Sequence, residues 1–473
     1  MGTKTKPVEL GTERIGKLLR QYAIPAIIAM TASSLYNITD SIFIGHGVGA
    51  LAISGLAITF PLMNLAAAFG SLVGVGGATL LSIRMGQKDY ATANTILGNV
   101  LVLNLIIGIL FSVVTLLFLD PILYFFGASP DTLPYARDYM FVILLGNVFT
   151  HMYMGLNSLL RSSGNPEKAM YATIATVLIN VVLNSLLIFG FGWGIRGSAI
   201  ATVVSQMIML AWQIKFFSNK NYFIHLQKGI FKLRKKIIFD TLSIGSASFF
   251  MNAASCLIVI VINQGLLRYG GDLAVGAYGI VNRIAFLFIM VVIGLNQGMQ
   301  PIAGYNFGAK LYERVTEVLK RTILWATLVM TFGFLVIELF PKAVASIFTT
   351  DDMLTSLSVT GLRIVFIMYP IVGFQMVVST FFQSIGMAGK AIFMSLSRQL
   401  LFLLPCLIIL PRIFGLNGIW YSMPVSDLIA SVIAAFMLVQ QFRKFKKIEQ
   451  ERPKDVILPS SITTSTNSEE ADV

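Results

Sequence analysis

Charge is what this sequence has least of. Only 12% of its 473 residues are Asp, Glu, Lys or Arg, about half the share of an ordinary soluble protein. So few charges cannot cover a water-facing surface of this size. The hydrophobic share is 56% and the mean hydropathy +0.79. A soluble multidomain enzyme, a disordered chain and a fibre are all excluded, which leaves a polytopic helical membrane protein. Cysteine is nearly absent as well. Cys256 and Cys406 sit in apolar runs and make neither a disulfide framework nor a metal spacing. The three histidines, His46, His151 and His225, are far apart and form no motif. A phosphate loop is missing too. Gly386-Met-Ala-Gly389-Lys390 lacks both the four-residue gap and the hydroxyl residue after the lysine. Nothing points to ATP hydrolysis, to a bound cofactor, or to the nucleophile–base pair that an embedded enzyme would need.

What the chain has in abundance is long apolar runs. A membrane span needs about 20 mostly apolar residues, and twelve segments qualify. They are roughly 18–44, 51–83, 93–119, 135–160, 169–190 and 197–217, then 241–267, 273–303, 319–340, 355–384, 390–411 and 418–440. The expected organisation is a cytoplasmic N-terminal segment (1–17), an N-lobe (18–217), a basic connector (218–240), a C-lobe (241–440) and a disordered cytoplasmic tail (441–473). The first apolar segment is too long, and too polar at Asn37 and Asp40, for a signal-peptide core, so it is expected to remain as a span.

The net charge of +13 is a topology signal. Most Lys and Arg fall in the N-terminal segment, the loops after spans 2, 4, 8 and 10, the connector and the tail. Arg137, Arg196, Arg268, Lys342 and Arg412 fall on the other side. The positive-inside rule then puts both termini in the cytoplasm. The basic surplus attracts anionic lipid and is no nucleic-acid footprint.

The chain also repeats itself. Shifted by 222 residues, Leu51-Ala-Ile overlies Leu273-Ala-Val, Gly86-x-Lys88-x-Tyr90 overlies Gly308-x-Lys310-x-Tyr312, and Gly164-x-x-x-Lys168-Ala169 overlies Gly386-x-x-x-Lys390-Ala391. With one deletion, Gly194-x-x-Gly197 overlies Gly415-x-x-Gly418. Each repeat holds six spans, an even number, so both halves enter the membrane in the same sense. The expectation is an all-α protein of twelve transmembrane helices in two six-helix lobes, related by a pseudo-twofold axis along the membrane normal. Alternating access makes full use of that duplication; a channel shares the topology and stays open as an alternative.

A carboxylate deep in a span is costly and a functional candidate by default. Asp40 in span 1 and Asp427 in span 12 qualify, with Glu338 near the end of span 9. Tyr36 and Asn37 precede Asp40 by one helical turn and share its face. Asn180 and Asn184 share a face of span 5. Pro25 removes a backbone hydrogen bond within span 1 and lets it kink. Desolvation lets a buried Asp exchange a proton for a cation in each cycle; the plainer alternative is that Asp40 only hydrogen-bonds span 5. Arg283, Arg363 and Arg398 lie in the same half as Asp427, and an internal ion pair is favoured there over a second coupling site. Met30, Met63, Met290, Met368 and Met376, with Phe60, Phe286 and Phe374, are candidates to line a cavity for greasy cations, packing and lipid contact being the plainer roles. His151 belongs to the same set, as an interior hydrogen-bonded residue or a relay.

These residues resemble the multidrug and toxic compound extrusion (MATE) transporters, closest to the bacterial branch that includes DNA-damage-inducible protein F. The likeness rests on Pro25 and Asp40, on Leu51-Ala-Ile-Ser-Gly-Leu-Ala-Ile-Thr-Phe-Pro-Leu62, and on Gly164-Asn-Pro-Glu-Lys-Ala169. It rests further on Gly194-Ile-Arg-Gly-Ser-Ala-Ile-Ala-Thr202, Ala277-Tyr-Gly-Ile-Val-Asn-Arg283 and Gly294-Leu-Asn-Gln-Gly-Met-Gln-Pro-Ile-Ala-Gly-Tyr-Asn-Phe-Gly308. It covers roughly residues 15–445. The resemblance implies a bacterial inner-membrane antiporter, expected to be monomeric, that exports amphipathic cationic drugs or dyes against protons or sodium. It also implies a coupling role for Asp40, Asn180 and Thr202. Position 184 departs: the family commonly has Asp where this chain has Asn184, and Pro where it has Ser185. One carboxylate is left, which favours protons over sodium. A lipid-linked saccharide flippase of the same superfamily is the alternative, and the scarcity of internal charge counts against it.

Overall fold

A computed structural model of the chain describes residues 10–451, and their side chains except those of 35–38, 50 and 449. The described residues are helices joined by short turns. The spans of the first half are Ile15–Gly47, Ala50–Gly86, Tyr90–Leu117, Leu133–Ser162, Pro166–Asn184 continued by a π-helical stretch Ser185–Gly190, and Gly194–Phe217. Span 9 is Tyr312–Leu339. Span 10 is the pair Asp352–Phe366 and Tyr369–Ser384, bent by 53°. Span 11 runs Ala388–Leu396, π-helical Ser397–Leu403 and Leu404–Phe414; span 12 is Leu416–Gln450.

Spans 7 and 8 follow one another directly within the 74 residues Lys235–Gly308, broken at a single non-helical residue, Gly271. At 1.5 Å per residue this would reach about 110 Å, against a hydrocarbon core of about 30 Å. The run folds back at Gly271, whose φ of 68° and ψ of −168° belong to a region essentially reserved for glycine. Residues 235–270 and 272–308 are therefore two spans, which brings the number to twelve.

Three expected boundaries shift. Span 1 begins at Ile15 and span 7 at Lys235, so the connector is 218–234. Span 12 continues to Gln450, so residues 441–450, expected in the disordered tail, are helical. Packing explains this: Phe445 is buried and stacks on Tyr312, and Lys390 Nζ donates to Gln441 Oε1 at 2.7 Å. The remainder of the tail, 452–473, lies outside the described residues.

The offset of 222 recurs in the backbone. Lys88 and Lys310 both take φ of 60°, and each N–H bonds back to the helix it ends, Lys88 to the Met85 carbonyl and Lys310 to that of Phe307. The short helices Leu119–Phe125 and Pro341–Ser346 start 222 residues apart. The halves also pack reciprocally. A Cβ on Gly86 would strike the carbonyl of Tyr305, and one on Gly308 the carbonyl of Ile83. Each contact is the other's counterpart under the same shift, the signature of a twofold relation. These approaches, with Gly76 against Thr241 and Gly298 against Ala23, gather at the end where spans 1 and 7 begin.

At that end the halves also trade elements. Leu10, Ile15, Leu18 and Leu19 pack into the second-half core, and Ile237 and Ile244 of span 7 into the first-half core. The backbone before span 1 is held by Asn306, which donates to the Leu10 carbonyl, and by Arg314, which donates to those of Leu10 and Glu13. The backbone before span 7 is held by Asn94, bonded to Phe223 and His225, and by Asn99, bonded to Ile230, Lys232 and Arg234.

Candidate functional site

Asp40 lies seven residues, roughly 10 Å, from the C-terminal end of span 1, and is only 5% exposed. Asn184 Nδ2 donates to Asp40 Oδ1 at 2.9 Å and to Asn180 Oδ1 at 2.8 Å. Asn180 Nδ2 in turn donates to Thr202 Oγ1 at 3.3 Å. Ser198 Oγ donates to Asp40 Oδ1 at 2.5 Å. Five side chains from spans 1, 5 and 6 thus form one connected polar cluster, and all five are buried. Helical spacing accounts for it: 180 and 184, like 198 and 202, are four residues apart and share a face. Asn184 stands where span 5 passes from α- to π-helix, a feature often found at functional sites.

Two properties of the cluster matter chemically. Among the described residues Asp40 has no ion-pair partner, so an ionised carboxylate there would rest on two donors alone, a costly state at low dielectric. Asn184 Oδ1 is buried and accepts no hydrogen bond among the described residues. An orphan acceptor beside a lone carboxylate leaves room for a species that brings positive charge or a proton. Among the described residues no group of three or more His, Cys, Asp or Glu could hold a metal ion, so a cation here would rely on a single carboxylate plus amide and hydroxyl oxygens.

The sequence expectation gathered Asp40, Asn180, Asn184 and Thr202, and the structure places all four together. Ser198 was missed as a site residue, although it lies inside the Gly194–Thr202 motif one turn before Thr202. Tyr36 and Asn37 have side chains outside the described set. Pro25 is buried within span 1, which runs as one helix from Ile15 to Gly47.

The greasy set is divided between packed and exposed positions. Met63 packs on the first-half core, and Phe374 and Met376 on the second. Phe60 and Phe286 are exposed, Met290 and Met368 half-buried. Met30 does face across the halves, its sulfur accepting from Gln297 Nε2 at 3.4 Å. His151 is an interior hydrogen-bonded residue, the plainer of the two roles read for it. Its ring is wholly enclosed, Nε2 lies 2.9 Å from the Ala66 carbonyl, and the glycines Gly70 and Gly108 make room for it. It belongs to the packing of spans 2, 3 and 4.

In the second half, Arg398 Nε donates to Asp427 Oδ1 at 2.7 Å, the ion pair favoured from sequence. Arg283 and Arg363 take no part in it. Both are exposed, and Arg363 approaches Glu338 at 3.9 Å. Cluster and pair are not copies of one another. The positions 222 residues beyond Asp40, Asn180 and Asn184 are Ile262, Phe402 and Cys406.

Comparison with known proteins agrees with this architecture. The MatE family model matches twice, at residues 25–186 and 247–408, which again differ by 222. The multidrug export protein MepA of Staphylococcus haemolyticus (strain JCSC1435) is 27% identical over 424 residues, covering 90% of this chain and 93% of that protein. Among solved structures, the MATE multidrug transporter DinF-BH, determined as a complex, superposes with a TM-score of 0.85 at 35% identity, over 93% of this chain and 98% of that one. The outward-facing conformation of a multidrug resistance MATE family transporter of the MOP superfamily gives a TM-score of 0.89 at 23% identity, over 94% and 100%, a likeness of fold. Two family matches covering most of the chain, on twelve spans in two reciprocal halves, settle its membership: this chain belongs to the MatE family.

Proposed function

We propose that the chain is a cation-coupled multidrug exporter of the bacterial cytoplasmic membrane, working by alternating access. The observation that carries the proposal is the buried Asp40–Asn184–Asn180 cluster, closed by Ser198 and Thr202. Among the described residues it holds a single carboxylate with no counter-charge and an unused acceptor beside it. The relatives support the cargo: MepA is named a multidrug export protein, and DinF-BH is described as a multidrug transporter.

In this reading the Lys- and Arg-rich loops and both termini face the cytoplasm. The reciprocal glycine contacts lie at that end, so the halves are sealed towards the cytoplasm here. A lipophilic cation enters from the cytoplasm or the inner leaflet in the opposite state. A proton arriving from outside neutralises Asp40, span 1 repacks about Pro25 with Tyr36 and Asn37 on the moving face, and the substrate leaves. Exchange requires only that proton and substrate favour different states or compete for one site. Protons are preferred to sodium because Asn184 stands where a second carboxylate would help hold a metal ion. The chain acts as a monomer and needs no cofactor.

The test is dye transport in proteoliposomes under a proton gradient alone, then a sodium gradient alone. Asp40→Asn should insert normally and lose gradient-driven transport in both arms. Undiminished coupled transport by that variant would refute the proposal, and transport driven by sodium only would replace the proton as the coupling ion.

A further inference from the structure

We propose that the first turns of span 7 bind an acidic phospholipid, with its headgroup on Lys235 and Lys236 and an acyl chain in the groove beyond them. The groove has a volume of about 400 Å³ and is lined by Lys235, Ile238, Phe239, Leu242, Ser243 and Ser246. These residues recur at three- and four-residue steps, so they form one face of the helix. The opposite face, with Ile237, Thr241, Ile244 and Gly245, is buried. Phe239 is 72% exposed.

The charge is arranged to match. Lys228, Lys232, Arg234, Lys235 and Lys236 are all exposed and are interleaved with exposed Phe231 and Leu233. Asn94 and Asn99 fix the strand of backbone that carries them. Among the described residues neither Lys235 nor Lys236 has an ion-pair partner. The start of the span adds backbone N–H groups and the positive end of a helix dipole.

The other half of the molecule supplies the contrast. Under the 222-residue shift, Lys235 and Phe239 correspond to Glu13 and Lys17. Those two neutralise each other in an ion pair at 2.6 Å. At span 7 the same pair of positions carries an unbalanced cation and an aromatic ring. That combination fits a molecule with an anionic head and an apolar tail at the membrane surface, and it fits neither a free anion nor a neutral lipid. Such a site needs only that span 7 crosses the membrane, and does not depend on what the protein transports.

The experiment is native mass spectrometry of the full chain in detergent, titrated with phosphatidylglycerol, phosphatidylcholine or inorganic phosphate. The wild type should retain phosphatidylglycerol in preference to phosphatidylcholine. The double variant Lys235→Gln/Lys236→Gln should lose about 10-fold or more of that preference, since each cation near an anionic surface contributes appreciably. Lys235→Arg/Lys236→Arg should keep it, and Phe239→Ser should weaken both lipids. If the glutamine variant does not fold, the wild-type preference must still fall as ionic strength rises from about 0.05 to 0.5 M. Equal binding of both lipids, an unchanged preference in the folded glutamine variant, a preference insensitive to salt, or displacement of the lipid by phosphate would each overturn the proposal.

Discussion

At the scale of single residues, the proposed coupling role rests on few atoms. Removing the Ser198 hydroxyl takes away one of two donors to Asp40. A hydrogen bond to a charged group is worth about 1.5–3 kcal/mol, so Ser198→Ala should displace the midpoint of the pH–transport profile by about a unit or more. Thr202→Ala, which reaches Asp40 through Asn180 and Asn184, should move it less. Asn184→Asp introduces a second carboxylate and should raise the response of dye transport to a sodium gradient; an unchanged response would place position 184 away from the ion. Much of this site was legible in the sequence, because residues four apart on an apolar helix must share a face, and Asp40 was the one acid deep in the first half. What was not legible was direction. His151, Phe60 and Phe286 sit in helices apolar all round, where composition does not say which side meets a neighbour. Three arginines in one half looked alike until packing gave only Arg398 a close carboxylate.

At the scale of elements, two interruptions carry chemistry. The π-helical stretches of spans 5 and 11 begin beside Asn184 and enclose Arg398, so each half widens a helix next to its polar residue. Breaking the Arg398–Asp427 pair should be costly, because it strands one charge. Asp427→Asn is expected to lower stability by about 2–4 kcal/mol, while Arg398→Met/Asp427→Leu together should cost less; thermal unfolding in detergent distinguishes them. Asp89 offers a simpler case at the start of span 3. The Thr92 side chain first, and then the Thr92 N–H from which its carboxylate accepts at 3.1 Å, hold its pKa below the ordinary value against the opposing effect of burial, with the nearby Arg84 and Arg234 charges adding to the lowering. A depressed carboxylate pKa stabilises the fold above the unfolded value of about 4 and loses that contribution as the pH falls through the folded value. Asp89→Ala should therefore cost about 1 kcal/mol at pH 7, and the gap to wild type should close in acid. The turn at Gly271 was legible in the sequence, which ended span 7 near 267 and began span 8 near 273 with Gly270-Gly271-Asp272 between them; what it did not show is that Gly271 alone leaves helical geometry there.

At the scale of the whole molecule, the repeat legible as three short matches became a reciprocal interface, with each half lending the start of a helix to the other's core. The chemistry did not follow the symmetry: the first half buries Asp40 without a cationic partner among the described residues, while the second has Ile262, Phe402 and Cys406 at the corresponding places and pairs its own buried acid, Asp427, with Arg398. The interface itself is made of backbone against backbone at Gly86 and Gly308. Gly86→Leu or Gly308→Leu should hold the halves apart. Transport should fall sharply with insertion unaffected, and a cysteine introduced at Ser82 should react faster with a cytoplasmic thiol reagent than in the otherwise wild-type background. An equal labelling rate would show that the contact does not govern access. The proposed closure would work by the absence of side chains. Any substitution at those two glycines adds bulk and none subtracts it, so inherited variation can only prop this door ajar and never shut it harder.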